Sequence, residues 1–377
     1  MGLATFIGGI HPFEGKELSE DKPIQVLPPL AGEEMVFPLS QHIGAPARPL
    51  VKKGDQVLKG QMIAEAGGFI SANVICSVSG VVKGIEPRLA ANGAMVDSII
   101  VENDGEDRAV DGFGEHRDCT KLSKEEIRDI IKGAGIVGLG GAGFPTHVKL
   151  TPKDEAAIDH VIVNGAECEP YLTSDYRLMM EQPEKIIGGL KVILQLFDNA
   201  KGVIGIENNK PEAIKVMSDL VKDIPNMEVA ELLMKYPQGA EKQLIYAVTK
   251  REVPSTTPPS LPADVGCIVD NVATVMAIGD AIFESKPLMD RVITVSGGAA
   301  KNPGNYQIKI GMKISDLMDA IDGFSVEPAK FIAGGPMMGP SMYTLDVAST
   351  KTTSGLLCFT KEEAYIPPER NCIRCGK

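Results

Sequence analysis

Residues 138–146, Gly-Leu-Gly-Gly-Ala-Gly-Phe-Pro-Thr, place four glycines and one alanine in six positions. That density leaves the backbone free to wrap a ligand closely. Successive N–H groups in such a loop form a nest for a phosphate, and Lys149, six residues past Gly143, could add a point charge. Gly138, Gly140 and Gly143 also fit G-x-G-x-x-G letter for letter. A dinucleotide fingerprint needs a strand in front of it. Here Ser123 and Glu126 form an S-x-x-E capping box, and Ile127, Ile130 and Ile131 a helical stripe. The loop therefore follows a helix, and it is a cradle of another kind.

A second constellation sharpens the chemistry. Asn164, Glu167 and Glu169 crowd polar atoms behind the buried apolar run His160–Val163. Carboxylates are poor partners for phosphate but good acceptors for ring N–H groups and ribose hydroxyls. A phosphate cradle with separate acids fits a nucleotide carrying a large heterocycle. Taken singly, each feature has a plainer reading: a glycine turn packed on a helix, and a solvated loop of capping acids.

The elements that must position these groups alternate between about 120 and 285. His160–Val163, Gly202–Ile206 and Glu228–Met234 read as strands, and Glu184–Phe197, Pro211–Lys222 and Asn271–Phe283 as helices. Alternation of this kind predicts a parallel sheet with ligands at the carboxyl ends of its strands. The loops Asn164–Pro170 and Tyr236–Glu241 fall at such ends. Pro254, Pro258, Pro259 and Pro262 mark a stiff connection. Beyond it, Arg291–Ser296, Tyr306–Ile310, Ser315–Ile321 and Lys330–Ala333 read as strand, strand, helix, strand, a small β-grasp unit. Gly334–Gly339 reads as a tight turn on its core.

The first 105 residues are short β-like runs broken by Gly, Pro and Asp. Val51–Gln61 and Ser79–Val82 resemble the opening and closing hairpins of biotinyl and lipoyl carrier domains. The interval 67–77, where those carriers present their lysine, holds none. A structural or docking sandwich is expected there, not an active carrier.

Composition bounds the rest. The 377 residues carry a net charge of −12, no Trp and 5% aromatics, which argues against nucleic acid as a partner. The most apolar window, 266–283, contains Asp270, Asn271 and Asp280, so no transmembrane segment is expected, and no signal peptide either. Seven cysteines, paired closely only at Cys372 and Cys375, suit a reducing compartment. Cys76, Cys119, Cys267 and Cys358 read as bland, Cys168 as a backbone-anchoring position and not a nucleophile, and the five histidines as dispersed.

The loop Gly138-x-Gly140-Gly141-Ala142-Gly143-Phe144-Pro145-Thr146-x-x-Lys149 resembles the flavin loop of the NADH-oxidising, FMN-bearing subunit of respiratory complex I. Asn164-x-x-Glu167-x-Glu169-Pro170, Tyr236-x-x-Gly239-x-Glu241 and Asp270-Asn271-Val272-x-Thr274 resemble that family's next three motifs, in the same order. With Gly9-Ile10-His11-Pro12 and the sandwich-like domain, the whole chain resembles the RnfC family, which belongs to the Rnf complex, a membrane-bound NADH:ferredoxin oxidoreductase.

The resemblance implies an α/β multidomain chain. It would comprise an N-terminal β barrel-sandwich hybrid (1–110), a central Rossmann-like α/β FMN/NADH domain (111–285), a C-terminal β-grasp, SLBB-like domain (286–345), and a connection (346–377) to a ferredoxin-like domain. Gly138, Gly140, Gly141 and Gly143 would hold the FMN phosphate, and Phe144 and Thr146 would belong to the cofactor-binding set. Lys149, Asn164, Asp270, Asn271 and Thr274 would bind phosphate, ribityl chain or ring edge, with Cys168 and Gly239 in the same cofactor-binding set. Glu167 and Glu241 would seat NADH, and no side chain need act as acid or base.

The full-length family carries two [4Fe–4S] clusters. Cys372 and Cys375 open the ligand run of one, and the chain is expected to stop at the edge of that domain. Implied partners are the other Rnf membrane and iron–sulfur subunits, at the cytoplasmic face of the membrane. Leu139 stands where the complex I loop commonly has arginine, Ala166 where it has aspartate and Ala240 where it has glutamate. Each departure removes a charge that could touch NADH or FMN. Two other readings stay open. One is a cobalamin reductase-type flavoprotein, a family that begins near the glycine loop, whereas residues 1 to about 130 precede it here. The other is a scaffold subunit that lost FMN.

Overall fold

The computed structural model describes residues 3–257, 260–372 and 374. Pro258 and Pro259 of the proline-rich stretch, and Cys375, lie outside them. Four parallel strands make the central sheet, in the spatial order Met227–Leu232, Lys201–Glu207, His160–Gly165, Cys267–Asn271. Apart from Val229 and Ala230 on the edge strand, their apolar side chains are buried on both faces, as a sheet covered by crossover helices requires. Two of those helices, Pro183–Leu194 and Pro211–Val221, open on proline, where the missing N–H costs nothing. Pro183–Leu194 and Val272–Phe283 touch backbone to backbone at Gly189, whose added Cβ would lie 1.9 Å from Val275 O.

The element before the glycine loop is the expected helix, Lys124–Gly133. Its capping box is formed: Glu126 N donates to Ser123 Oγ at 3.2 Å and Ser123 N to Glu126 Oε2 at 2.7 Å. The N-terminal sandwich pairs Glu34–Pro38, Met95–Asn103, Gly80–Leu89 and Gln56–Val57 in one sheet, and Arg48–Pro49, Met62–Glu65 and Val74–Ile75 in the other. Within the interval where a carrier would present its lysine, Phe69 is 82% exposed.

The C-terminal sheet has six strands, in the order Ile24–Leu27, Gly304–Lys309, Asp290–Ser296, Gly355–Phe359, Lys330–Ala333, Ser341–Met342. Leu317 and Met318 of the helix Ile314–Ala320 share its core with Ile293 and Val295. Two of its strands come from outside 286–345. Ile24–Leu27 runs parallel to Gly304–Lys309, and Gly355–Phe359 lies between Asp290–Ser296 and Lys330–Ala333. Before Ile24, the chain is strapped along the central sheet. Ala4 bridges to Leu232, and Ile10 and Tyr236 exchange backbone bonds at 2.8 Å.

Candidate functional site

The four motif loops meet at the carboxyl ends of the central strands, where the parallel register sets Asn271 directly beside Asn164. The glycine loop closes on itself through Gly138 N to Phe144 O at 2.8 Å and an antiparallel bridge between Val137 and Pro145. Leu139 N donates to Thr274 Oγ1 at 2.9 Å, and Arg291 Nη2 to Leu139 O at 3.1 Å. Gly140, Gly141 and Ala142 are exposed at the tip. A Cβ at Gly140 would meet Asn271 Cβ at 2.9 Å, whereas one at Gly141 would meet nothing within 4 Å. Gly143 is buried at φ 71°, and its added Cβ would press on Thr352 and on residues 41–42 of the sandwich domain.

Asn271 is the N-cap of Val272–Phe283, accepting from Ala273 N at 2.9 Å, while its Nδ2 donates to Asp175 Oδ2 at 2.6 Å. One asparagine thus ties the glycine loop, a helix start and a buried acid together. Thr274, fully buried one turn on, anchors Leu139. Thr274→Val keeps the shape and removes the acceptor. It is expected to cost about 1–3 kcal/mol in a denaturant titration, the range for a buried donor left unpaired.

Lys149 points to the strand ends. Its Nζ donates to Val269 O at 2.6 Å and to Glu241 Oε1 at 3.4 Å, and stands 3.4 Å from Asp270 Oδ1. Burial disfavours the ammonium, but Asp270 and Glu241 outweigh it and raise its pKa. Its charge is therefore matched by two carboxylates and not left free for a phosphate. Burial likewise raises the Asp270 pKa, and Lys149 only partly offsets this. Apart from that ion pair, both Asp270 oxygens lie buried without a hydrogen-bond partner among the described residues, as do both amide atoms of Gln238 and Thr146 Oγ1. Orphaned buried polar atoms are rare in folded proteins.

Around Asn164, Nδ2 donates to Gly239 O at 2.7 Å, and Oδ1 accepts from Ala166 N at 3.2 Å. Cys168 Sγ accepts from Gly239 N at 3.3 Å, and burial pushes the thiol up to about 11, so it anchors backbone as expected and is no nucleophile at neutral pH. The Glu167 carboxylate accepts from Asp175 N at 2.7 Å and Tyr176 N at 3.2 Å, at the start of helix Ser174–Glu181. Burial pushes it up to about 7 against the pull of Lys16. Glu169 turns away, accepting from Met337 N at 3.0 Å; a Cβ at Gly335 would come within 2.2 Å of its Oε2. The Gly334–Gly339 turn is thereby explained as a seat for this acid. Sequence reasoning missed Asp175, Lys16, Lys210 and Arg291. All four act on atoms far away in sequence, and no spacing pattern advertises them.

Of the three departures, Leu139 and Ala166 face the protein interior. Leu139 is 3% exposed and belongs to the central core, and Ala166 is fully buried against Gly239. Ala240 is half-buried ahead of the helix Glu241–Thr249. Cys372 is exposed. Among the described residues no group of three metal-ligating side chains occurs, and no helix is long and apolar enough to cross a membrane.

A family model described as the Nuo51 FMN-binding domain matches residues 131–280, one described as the RnfC barrel sandwich hybrid domain matches 4–106, and the SLBB domain matches 292–341. The chain is 45% identical over 375 residues to the C subunit of the proton-translocating ferredoxin:NAD(+) oxidoreductase complex of Clostridium ljungdahlii, covering 100% of this chain and 81% of the relative. It is also 45% identical over 373 residues to the C subunit of the Na(+)-translocating ferredoxin:NAD(+) oxidoreductase complex of Acetobacterium woodii, covering 99% and 83%. Among solved structures, an NAD+-reducing [NiFe]-hydrogenase in the H2-reduced state superposes with a TM-score of 0.52 at 20% identity, covering 65% of this chain and 48% of that one. That last likeness concerns the fold alone.

Proposed function

The chain belongs to the RnfC family of ion-translocating ferredoxin:NAD(+) oxidoreductase complexes, and on that premise we propose that it binds FMN at the glycine loop and passes electrons from NADH toward iron–sulfur centres. The observation that carries this reading is an open glycine tip, whose N–H groups from Gly140 to Gly143 have no acceptor among the described residues, at the strand ends where the other motif loops meet. Gly141 can approach a ligand without obstruction, and Asn271 and Thr274, which touch and anchor the loop, stand at the end of strand Cys267–Asn271. Such a nest of free N–H groups fits the phosphate of FMN.

When bound, FMN supplies a two-electron acceptor that can release electrons singly. The residues of this chain bind and orient. The N–H groups of residues 140–143, which have no acceptor among the described residues, would face the phosphate, and Asn164, Asp270 and Asn271 would line the ribityl chain and ring edge. Glu241, paired with Lys149, and Glu167, with lone pairs left after capping its helix, accept from NADH. Cys372 and Cys375 would supply two of the four thiolates that a [4Fe–4S] cluster requires. The family places the chain in a membrane-associated complex; we assign it a peripheral seat at the cytoplasmic face, against the other subunits.

The sandwich match at 4–106 favours this reading over a cobalamin reductase, whose family begins near the glycine loop. Burial of Leu139 in the core speaks against a scaffold that shed its flavin: the position faces inward, so its missing charge is no lost ligand contact. Titration with FMN should give a yellow protein, and NADH should bleach it anaerobically. A folded chain that takes up no FMN at micromolar concentration overturns the proposal.

A further inference from the structure

The segment after strand His160–Gly165 holds a costly shape. Glu167 at φ 48° and Tyr171 at φ 65° are both left-handed, a conformation that non-glycine side chains resist. Two cations from distant parts of the chain grip its carbonyls. Lys16, in the N-terminal strap and 7% exposed, donates from Nζ to the carbonyl oxygens of Glu167 at 3.0 Å, Glu169 at 3.1 Å and Leu172 at 2.5 Å. An ammonium has three protons, so this loop saturates it. Lys210, 3% exposed, donates to Ala166 O at 2.7 Å and stands 3.6 Å from Glu207.

The strap is fastened to the same loop on either side of Lys16. Tyr171 N donates to Glu14 O at 2.7 Å, and the Ser19 and Thr173 hydroxyls lie 2.8 Å apart. The glycine loop is held separately, by Thr274, Asn271 and Arg291. Because its carbonyls turn inward to Lys16, the loop leaves the N–H groups of Glu167, Cys168 and Glu169 with no acceptor among the described residues.

We propose that Lys16 is a positioning residue for the pyridine-nucleotide side of the site, holding the Glu167–Leu172 loop through its three carbonyls without touching the flavin-phosphate loop. This rests on the NADH and FMN reading above. It makes the N-terminal strap a working wall of the site, brought in from outside the central α/β domain.

The test compares Lys16→Met and Lys16→Arg with the parent chain, each loaded with FMN and reduced by NADH with ferricyanide as acceptor. Lys16→Met is expected to bind FMN as the parent does while KM for NADH rises about tenfold with kcat little changed, since charge-assisted bonds to the loop are lost. Lys16→Arg, which keeps the charge, is expected to recover part of that loss. Hydrogen exchange on the FMN-free proteins reads the clamp directly: the amides of Tyr171 and Thr173 should lose protection in Lys16→Met, while those of the central strands keep theirs. Unchanged loop protection, or a loosened loop with unchanged KM, overturns the assignment. A parent chain that NADH fails to reduce refutes the flavin reading instead, and the exchange measurement still decides the clamp.

Discussion

Alanine at position 141 is expected to weaken FMN binding about tenfold at unchanged stability, and alanine at position 140 to weaken it up to about a hundredfold with a loss of stability. The difference follows from what each new methyl group meets. At Gly141 it enters open space, and the backbone there lies outside the left-handed region, so the folded chain tolerates it. Only a ligand seated against the loop would feel it. At Gly140 it lands 2.9 Å from Asn271 Cβ, and Asn271 cannot retreat cheaply, because it caps a helix and holds Asp175. Flavin fluorescence quenching gives the affinities and calorimetry the stabilities. Full FMN affinity in Gly141→Ala would mean that the tip does not touch the cofactor.

Raising the pH from about 7 to about 9 is expected to stabilise the protein through Lys351, by up to about 1.4 kcal/mol per pH unit. Burial pushes this ammonium down to about 7, from 10.5 in an open chain. Between those values the unfolded chain holds a proton that the folded one does not, so unfolding becomes harder as pH rises. Glu167 acts with the opposite sign below this window, since a carboxyl raised to about 7 favours the fold only while protonated. Buried thiols such as Cys76, pushed up to about 12, pull the other way above it. Lys351→Met should flatten the rise in urea unfolding free energy across the window. It should also lower stability at the alkaline end, where the neutral amine still donates, because Lys351 Nζ donates to Asn73 O and, at 2.7 Å, to Gly135 O, joining the sandwich to the central domain. An unflattened slope would place the titration elsewhere.

Much of the architecture was legible from local chemistry. The capping box at Ser123 and Glu126 marked the helix before the glycine loop, and that helix ruled out the dinucleotide fingerprint its spacing suggested. The strand His160–Gly165 and its neighbours announced themselves as short apolar runs between helical stripes, and the site loops lie at their ends. Ile24–Leu27 was illegible because a four-residue edge strand with an exposed Val26 carries no pattern. Lys149 showed the limit of reading charge from sequence. Its position was foreseen, but Asp270 and Glu241, which absorb its charge, are neighbours only once the sheet is built. Lys16 and Arg291 escaped notice because their partners are backbone carbonyls, which leave no trace in residue types.

The path of the chain before the sandwich sets an order of assembly. A ribosome releases the strap and the strand Ile24–Leu27 first, yet the backbone partners of the strap lie between residues 171 and 236 and those of the strand past residue 300. The sandwich, whose strands pair among themselves, can close early. The first two dozen residues must then wait, extended, until synthesis has passed both later domains. The pyridine-nucleotide side of the site is therefore closed late, by the residues made first.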